Sequence, residues 1–154
     1  MEGDCTLELL DFEDPLGKMV FWHSSAHILG EALEVDFGCH LCIGPPLTSG
    51  FYYDAFMGAE RITPAHFEDI EKTAKSLIDE NQKFERIVLT KEEALEMFKE
   101  NPFKVQLIQN KIPEGGKTTA YRCGKLIDLC TGPHIPTTAH IKALKVCLLL
   151  LFFF

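Results

Sequence analysis

The sequence has no apolar run of the roughly 20 residues that a membrane-spanning helix needs. Its longest apolar stretch is the tail from Val146 to Phe154. The sequence also has few basic residues, since 15 Lys and Arg face 23 Asp and Glu, for a net charge of −8. Such a chain is not expected to bind nucleic acid by bulk charge alone, although a local basic groove stays compatible with it. The acidic N-terminus resembles neither a secretory signal nor an Arg-rich transit peptide, so a cytoplasmic location is expected.

Composition predicts a folded domain. Hydrophobic residues make up 46% and charged residues 25% of the 154 residues, which is ordinary for a globular protein and unlike a disordered tail. This length allows one domain, or one domain with a fragment of another. The six cysteines are expected to be reduced, because nothing in the sequence indicates an oxidising compartment.

Helix and strand patterns alternate along the chain. Asp14 before Pro15 predicts a helix that runs to about Val35, because aspartate caps helices and proline suits their first position. Further helices are predicted over residues 64–81 and 90–101, and residues 103–109 fit either a helix or a strand. Strands are predicted over residues 5–10, 39–43, 50–56, 84–89, 118–123 and 125–129. This order favours an α+β fold with helices packed on a mostly antiparallel sheet.

Two histidines stand one helical turn apart in the first predicted helix. His23 and His27 therefore project from one face, beside the apolar stripe of the same helix. A pair at this spacing suits a metal site or an acid–base site. Two partly buried histidines bonded to the backbone would give the same pattern, and by itself the pair favours that simpler interpretation.

Cys130 and His134 form a second pair, directly after the last predicted strand. Strand alternation puts Asp128 and Cys130 on one face, and the Thr-Gly-Pro turn after them can bring His134 back towards Cys130. Together the two pairs supply four ligand-type side chains. Zn²⁺ accepts such a tetrahedral set, but the same side chains could also position a water molecule and a substrate without a metal.

These motifs resemble a known family. His-Ser-Ser-Ala-His at 23–27, Gly-Pro-Pro at 44–46, Gly-Phe-Tyr-Tyr-Asp at 50–54, Tyr-Arg-Cys-Gly at 121–124 and Asp-Leu-Cys-Thr-Gly-Pro-His at 128–134 are similar to the editing domain of threonyl-tRNA synthetases. The order and spacing hold from about residue 2 to about residue 146. The resemblance divides the chain into residues 1–12, the end of a ubiquitin-like domain or a linker, residues 13–146, an editing domain that is incomplete at its C-terminus, and residues 147–154, an apolar tail outside the family pattern.

The resemblance implies a reaction and a set of roles. It implies hydrolysis of seryl-tRNA that was formed by mistake on threonine tRNA, by water attack on the aminoacyl ester. His23, His27 and His134 are then expected to hold or deprotonate water, and Lys104 to stabilise charge or clamp the terminal ribose. Asp128 is expected to bind the substrate ammonium group and Cys130 the serine side chain. From the sequence alone, Lys104 could equally be a solvated surface lysine.

Cofactors and partners follow from the same resemblance. No cofactor is expected for this region, since ATP and zinc belong to the aminoacylation domain of the parent enzyme, which ligates threonine to tRNA and is expected to be a homodimer. If zinc were present here, its ligands would be His23, His27, Cys130 and His134, as the resemblance to the editing domains of alanyl-tRNA synthetases and their free-standing relatives implies. The expected partner is the aminoacylated 3′ end of tRNA, with no membrane involved.

Two other function classes stay open at the level of sequence. The first is a free-standing, zinc-dependent deacylase of the alanyl type. The second is a non-catalytic remnant that binds tRNA or a partner protein.

Overall fold

The computed structural model describes residues 4, 6 and 8–147, and its elements follow the predicted alternation. No helix in this described part is long and apolar enough to cross a membrane. The helices are α1 (Pro15–Phe37), α2 (Phe67–Asp79), α3 (Lys91–Met97) and α4 (Pro102–Lys111), with short 3₁₀ helices at Pro64–His66 and Thr138–His140. The strands are β1 (His40–Leu41), β2 (Pro46–Leu47), β3 (Gly50–Phe51), β4 (Ala55–Phe56), β5 (Phe84–Thr90), β6 (Lys117–Cys123) and β7 (Leu126–Leu129).

Helix α1 is the longest element and carries the first histidine pair. The Asp14 side chain accepts a hydrogen bond of 2.8 Å from the Leu16 amide, and Pro15 occupies the first helical position. The helix ends at Gly38, whose φ of 60° is a left-handed conformation that glycine adopts without strain. The predicted start is therefore confirmed, and the helix runs two residues past the predicted end at Val35.

A sheet of three antiparallel strands, β5–β6–β7, forms the centre of the fold. Alternate residues of this sheet face two separate apolar clusters. Cys123 and Leu126 pack with α1 and α2, whereas Leu89 and Ala120 pack with α3 and α4. The predicted α+β fold with helices on an antiparallel sheet is confirmed.

Between α1 and α2 the chain forms a long, irregular hairpin. Strand β1 pairs with β4 and β2 pairs with β3, all antiparallel. The strand predicted over residues 50–56 is thus split in two, although Asp54 still exchanges backbone hydrogen bonds of 2.8 Å with Cys42 and Ile43 across the gap. Residues 103–109, which fit either state, lie in α4.

The first predicted strand is wrong for the residues that can be judged. Thr6 and residues 8–10 belong to no strand, and no strand in the described part of the chain pairs with them. The apolar tail from residue 148 onwards lies outside the described residues.

The buried Glu31 side chain joins α1 to the turn between β6 and β7. Its Oε1 accepts hydrogen bonds from the Lys125 amide at 2.9 Å and from Gln82 Nε2 at 3.3 Å. The turn residue Gly124 passes so close that a Cβ there would lie 2.4 Å from Glu31 Oε1. Because β7 starts at this turn, Glu31 helps to set the position of the residues that β7 carries towards its end.

Removing this anchor should destabilise the fold. We expect Glu31→Ala to lower the free energy of unfolding by about 1–3 kcal/mol, because the Lys125 amide and the buried Gln82 side chain lose a hydrogen-bond acceptor. The measurement is urea unfolding followed by circular dichroism. Glu68→Ala is the control, because that carboxylate is exposed and forms a surface ion pair with the neighbouring Lys72 on α2. An equal effect of the two substitutions would contradict the anchoring role.

Candidate active site

Two elements that are distant in sequence bring the predicted histidines and cysteine together. His23 and His27 lie one turn apart on α1, with ring centroids 5.4 Å apart. Cys130 follows β7 directly and is tied to β6, because its amide donates to the Thr119 carbonyl at 3.1 Å and its carbonyl accepts from Thr119 Oγ1 at 2.6 Å. The turn that follows carries His134 back over the same face of the sheet.

The four side chains form one compact cluster. Cys130 Sγ lies 3.3 Å from His23 Nε2 and 3.2 Å from His134 Nε2. The His134 ring centroid is 4.4 Å from the centroids of both His23 and His27. One ligand atom from each of the four residues lies within 4.8 Å of the others. We therefore call His23, His27, Cys130 and His134 the HC cluster.

Two aromatic side chains fix the His134 ring within the HC cluster. Phe84 of β5 stacks on it at 4.8 Å and 15°, and Tyr121 of β6 meets it edge-on at 4.6 Å and 76°. Sequence reasoning placed both residues in strands but missed these contacts. The available signal was strand register, because Tyr121 pairs with Asp128 across β6 and β7 and so faces the same side.

A buried ion pair lies beside the HC cluster. Lys104 Nζ is 2.5 Å from Asp128 Oδ1, and both side chains are almost fully buried. Asp128 Oδ2 accepts a hydrogen bond from the Tyr53 hydroxyl and lies 3.6 Å from His27 Nε2. Two buried charges at this distance compensate each other for the loss of hydration.

Lys104 reaches this pair because of how α4 begins. The Asn101 side chain accepts hydrogen bonds from the Phe103 and Lys104 amides, and its Nδ2 donates to the Leu41 carbonyl at 2.8 Å. This cap attaches the first turn of α4 to β1. Lys104 is 4% exposed, so it is not a solvated surface lysine. The ion pair also borders a cavity of about 190 Å³ that Glu34, His40 and Asn101 help to line.

Burial keeps the HC cluster uncharged at neutral pH. Burial lowers the pKa of His134 to about 2, assisted by the neighbouring His27 and His23, and lowers the pKa of His27 to about 4 against the attraction of Asp128. The pKa of His23 is lowered for the same reason. Burial raises the pKa of Cys130 to about 11. The cluster therefore holds neutral imidazoles, which are bases, and a thiol that is not an activated nucleophile.

The HC cluster also fits a zinc ion. The two Cys130–histidine separations of 3.2 and 3.3 Å are close to the ~3.5 Å edge of a tetrahedron whose metal–ligand bonds are about 2.0–2.3 Å. In addition, His27 Nδ1 is buried and has no hydrogen-bond partner among the described residues. A metal ion or a water molecule would satisfy this nitrogen.

Of the six predicted site residues, four form the HC cluster and two form the adjacent ion pair. Tyr53, Phe84, Tyr121 and Ser24 are the contacts that sequence reasoning missed. Tyr53, Tyr121 and Ser24 lie inside the motifs that carried the family resemblance. Their partners, Asp128 and His134, are distant in the chain, so only the folded structure shows the contacts. The catalytic and binding roles of all these residues remain predictions.

The lowered pKa of His27 predicts a pH dependence of stability. The unfolded chain takes up a proton near pH 6.5 that the native state accepts only near pH 4, so the free energy of unfolding should fall as the pH drops through that window. His27 should account for a fall in the free energy of unfolding on the order of 3 kcal/mol across this pH window. In His27→Gln this pH-dependent fall should be absent. The check is urea unfolding at several pH values, with the exposed His140→Gln as a control that keeps the wild-type slope. Identical slopes for the two variants would contradict the assignment.

Comparison with known proteins agrees with the geometry. Residues 118–147 match the family described as "Threonyl and Alanyl tRNA synthetase second additional domain". The chain is 53% identical over 150 residues to "Threonine--tRNA ligase, cytoplasmic" of Saccharomyces cerevisiae, with 91% of this chain and 20% of that protein covered. It is 55% identical over 147 residues to "Threonine--tRNA ligase, mitochondrial 1" of Arabidopsis thaliana, with 94% and 21% covered.

The "Threonine--tRNA ligase, cytoplasmic" of Caenorhabditis elegans is 53% identical over 145 residues, with 94% of this chain and 20% of that protein covered. The chain thus spans about a fifth of the length of the curated relatives it matches. With this identity across nearly all of its length, and with its site motifs in one cluster, the chain belongs to the threonyl-tRNA synthetase family and corresponds to the editing-domain region.

Proposed function

We propose that this chain hydrolyses the ester bond of threonine-specific tRNA that carries serine by mistake. The observation that carries the proposal is the HC cluster, in which three imidazoles and a thiol meet next to the Lys104–Asp128 pair. Ester hydrolysis needs an oriented water, a base and a positive group near the developing oxyanion. The HC cluster and the ion pair contain side chains suited to each of these tasks.

The proposed reaction would correct errors that arise because a binding pocket for threonine discriminates only weakly against serine. Serine lacks only one methyl group of threonine, and a difference of that size is worth about 1–3 kcal/mol in a binding pocket. A pocket for threonine therefore admits serine too often. A second site that removes serine from the tRNA supplies the missing discrimination.

Each residue receives a role that its surroundings support. A neutral imidazole of His23, His27 or His134 takes the proton from the attacking water, since each has its pKa lowered by burial. Lys104 supplies the positive charge near the oxyanion. One of its three N–H donors is used by Asp128, which leaves donors for a substrate oxygen.

Asp128 and Cys130 complete the proposed substrate site. The Asp128 carboxylate attracts the ammonium group of the aminoacyl ester, and it is held in place by Lys104 and Tyr53. The Cys130 thiol contacts the serine hydroxyl. A covalent role for Cys130 is not part of the proposal, because its raised pKa keeps it protonated at neutral pH.

The partner in this proposal is the aminoacylated 3′ end of tRNA. A net charge of −8 gives little general attraction for phosphate, so we expect weak binding by the isolated chain. A cytoplasmic location is also part of the proposal and follows the names of the yeast and nematode relatives, although the Arabidopsis relative is named mitochondrial. Threonine ligation, which all these names state, is outside what we propose for this region.

Deacylation of purified seryl-tRNA tests the proposal. The assay uses low salt and excess protein, because binding is expected to be weak, and follows release of serine from the tRNA. We expect His23→Ala and His134→Ala to slow release by about 10²- to 10⁴-fold, the range for loss of an acid–base group. Release of threonine from threonyl-tRNA should be much slower than release of serine.

His140→Ala is the matched control, because His140 is exposed in the 3₁₀ helix at Thr138–His140 and is not part of the HC cluster. It should keep the wild-type rate. A wild-type protein that releases no serine would favour the non-catalytic remnant. Equal rates for wild type and His134→Ala would contradict the role of the HC cluster.

A zinc-dependent deacylase is the second candidate. His27 Nδ1, which has no hydrogen-bond partner in the described part of the chain and belongs to a four-ligand set, favours it. The measurement is the metal content of the purified protein by mass spectrometry, together with deacylation in the presence of a chelator. Metal-free hydrolysis predicts far less than one zinc per chain and an unchanged rate. One zinc per chain, lost in Cys130→Ser together with activity, would establish the zinc-dependent reaction instead.

A further inference from the structure

Ser24 lies between the two histidines of α1 and makes three polar contacts through one oxygen atom. Its Oγ donates to the Val20 carbonyl at 2.7 Å and accepts from the Ile135 amide at 3.0 Å. The third contact is His134 Nδ1 at 3.1 Å. Ser24 is fully buried, so no bulk water competes for these bonds.

A count of protons decides which atom donates in the third contact. A serine hydroxyl has one proton and can accept two hydrogen bonds. If that proton pointed to His134, the Ser24 and Val20 oxygen atoms would face each other at 2.7 Å with no hydrogen between them. All three contacts are satisfied only when His134 Nδ1 carries a proton and donates it to Ser24.

We propose that Ser24 is a positioning residue that holds His134 in the neutral tautomer with Nδ1 protonated. The bare Nε2 then points at Cys130 Sγ, 3.2 Å away, inside the HC cluster. For a neutral imidazole, the hydrogen bond made by one ring nitrogen determines which nitrogen is protonated. A proton on Nε2 instead would leave His134 with no lone pair facing the cluster.

Two aromatic neighbours and the adjoining backbone hold the His134 ring in this orientation. Phe84 covers one face of the ring and Tyr121 meets it edge-on, so a ring flip would have to displace both. The Ile135 amide, next in the chain, is bonded to the same Ser24 oxygen. One hydroxyl thus fixes the position of the His134 backbone and the protonated nitrogen of its ring.

The consequence for catalysis rests on the proposed function. If His134 acts as a base or as a water-holding group, it needs an unprotonated nitrogen at the cluster. Loss of the Ser24 hydroxyl should then reduce the rate of the chemical step more than substrate binding, because Ser24 is fully buried and its hydroxyl is bonded to Val20, Ile135 and His134.

The neighbouring residue offers a matched control. Ser25 is also a buried serine of α1, and its Oγ donates to the Phe21 carbonyl at 2.9 Å, as Ser24 does to Val20. Within the described part of the chain it makes no hydrogen bond to the HC cluster, and it points about 100° away from Ser24 around the helix. Ser25→Ala therefore reproduces the loss of a buried hydroxyl from the same turn without touching His134.

Imidazole nitrogen NMR tests the proposal directly. Long-range proton–nitrogen spectra of the full, nitrogen-labelled chain at neutral pH report the tautomer of each histidine, and His134→Gln identifies the His134 signals. We expect wild type, Ser24→Thr and Ser25→Ala to show His134 protonated at Nδ1. Ser24→Ala should show the Nε2-protonated form or an average of the two.

Two results would overturn the proposal. One is a wild-type His134 protonated at Nε2, which needs no variant and so holds even if Ser24→Ala fails to fold. The other is a folded Ser24→Ala protein in which His134 keeps its proton on Nδ1, as it would if a bound metal on Nε2 imposed that form.

Kinetics separate this proposal from the proposed function. In the deacylation assay, Ser24→Ala should lower kcat by about 10- to 100-fold with little change in KM, the same range as for removing the hydrogen-bond partner of a metal-ligating histidine. Ser24→Thr should recover most of the rate. A wild-type protein that shows the expected His134 tautomer but releases no serine would contradict the proposed hydrolase function. It would still support the role of Ser24 in setting the tautomer. If Ser24→Ala released serine at the wild-type rate, the expected effect of Ser24 on catalysis would be wrong.

Discussion

The buried carboxylate of Asp128 is the constraint on which the site depends. A charge of this kind is stable in the interior only when it is paired and hydrogen-bonded. Lys104 from α4 and Tyr53 from the hairpin supply these bonds, and His27 from α1 lies close by. Three segments that are far apart in the chain therefore have to meet β7 at one point. The position of Cys130, two residues further on, follows from that meeting.

The ion pair and the HC cluster differ in charge. Lys104 and Asp128 hold the charges of the site, and these charges cancel. The HC cluster next to them is neutral because burial outweighs the attraction of Asp128 for a proton on His27 or His23. A site built this way can offer a base and a positive donor within one small volume without an unbalanced buried charge.

The parts of the site that could be predicted from sequence are those set by short-range geometry. The spacing of His23 and His27 fixes their common helix face, and strand alternation fixes the shared face of Asp128 and Cys130. Lys104 could be suggested only through the family resemblance, since a single lysine in an ambiguous segment carries no local signal. Its burial depends on the Asn101 cap and the Leu41 carbonyl, which lie 60 residues apart in the chain.

The fold shows the same division. Helix α1 and the central strands follow their patterns, because capping residues and alternation act locally. The hairpin between α1 and α2 does not, since its strands are only two residues long. The Tyr53 ring also packs against Gly44 and Gly30, a contact that no local pattern predicts. The contacts of Phe84 and Tyr121 with His134 also depend on strand register, which local propensity does not fix.

The distribution of protons in the HC cluster links the fold to its chemistry. The Cys130 thiol has one proton, and the Nε2 atoms of His23 and His134 both lie within hydrogen-bond distance of its sulfur. If both nitrogens are bare, the thiol can satisfy only one of them, and the other lone pair is available to a water molecule or a metal ion. The hydrogen bonds on the far side of each ring therefore decide whether the cluster can accept a proton at all. Because the Ser24 hydroxyl makes that bond for His134, a buried residue outside the cluster determines which nitrogen of His134 is left bare towards Cys130.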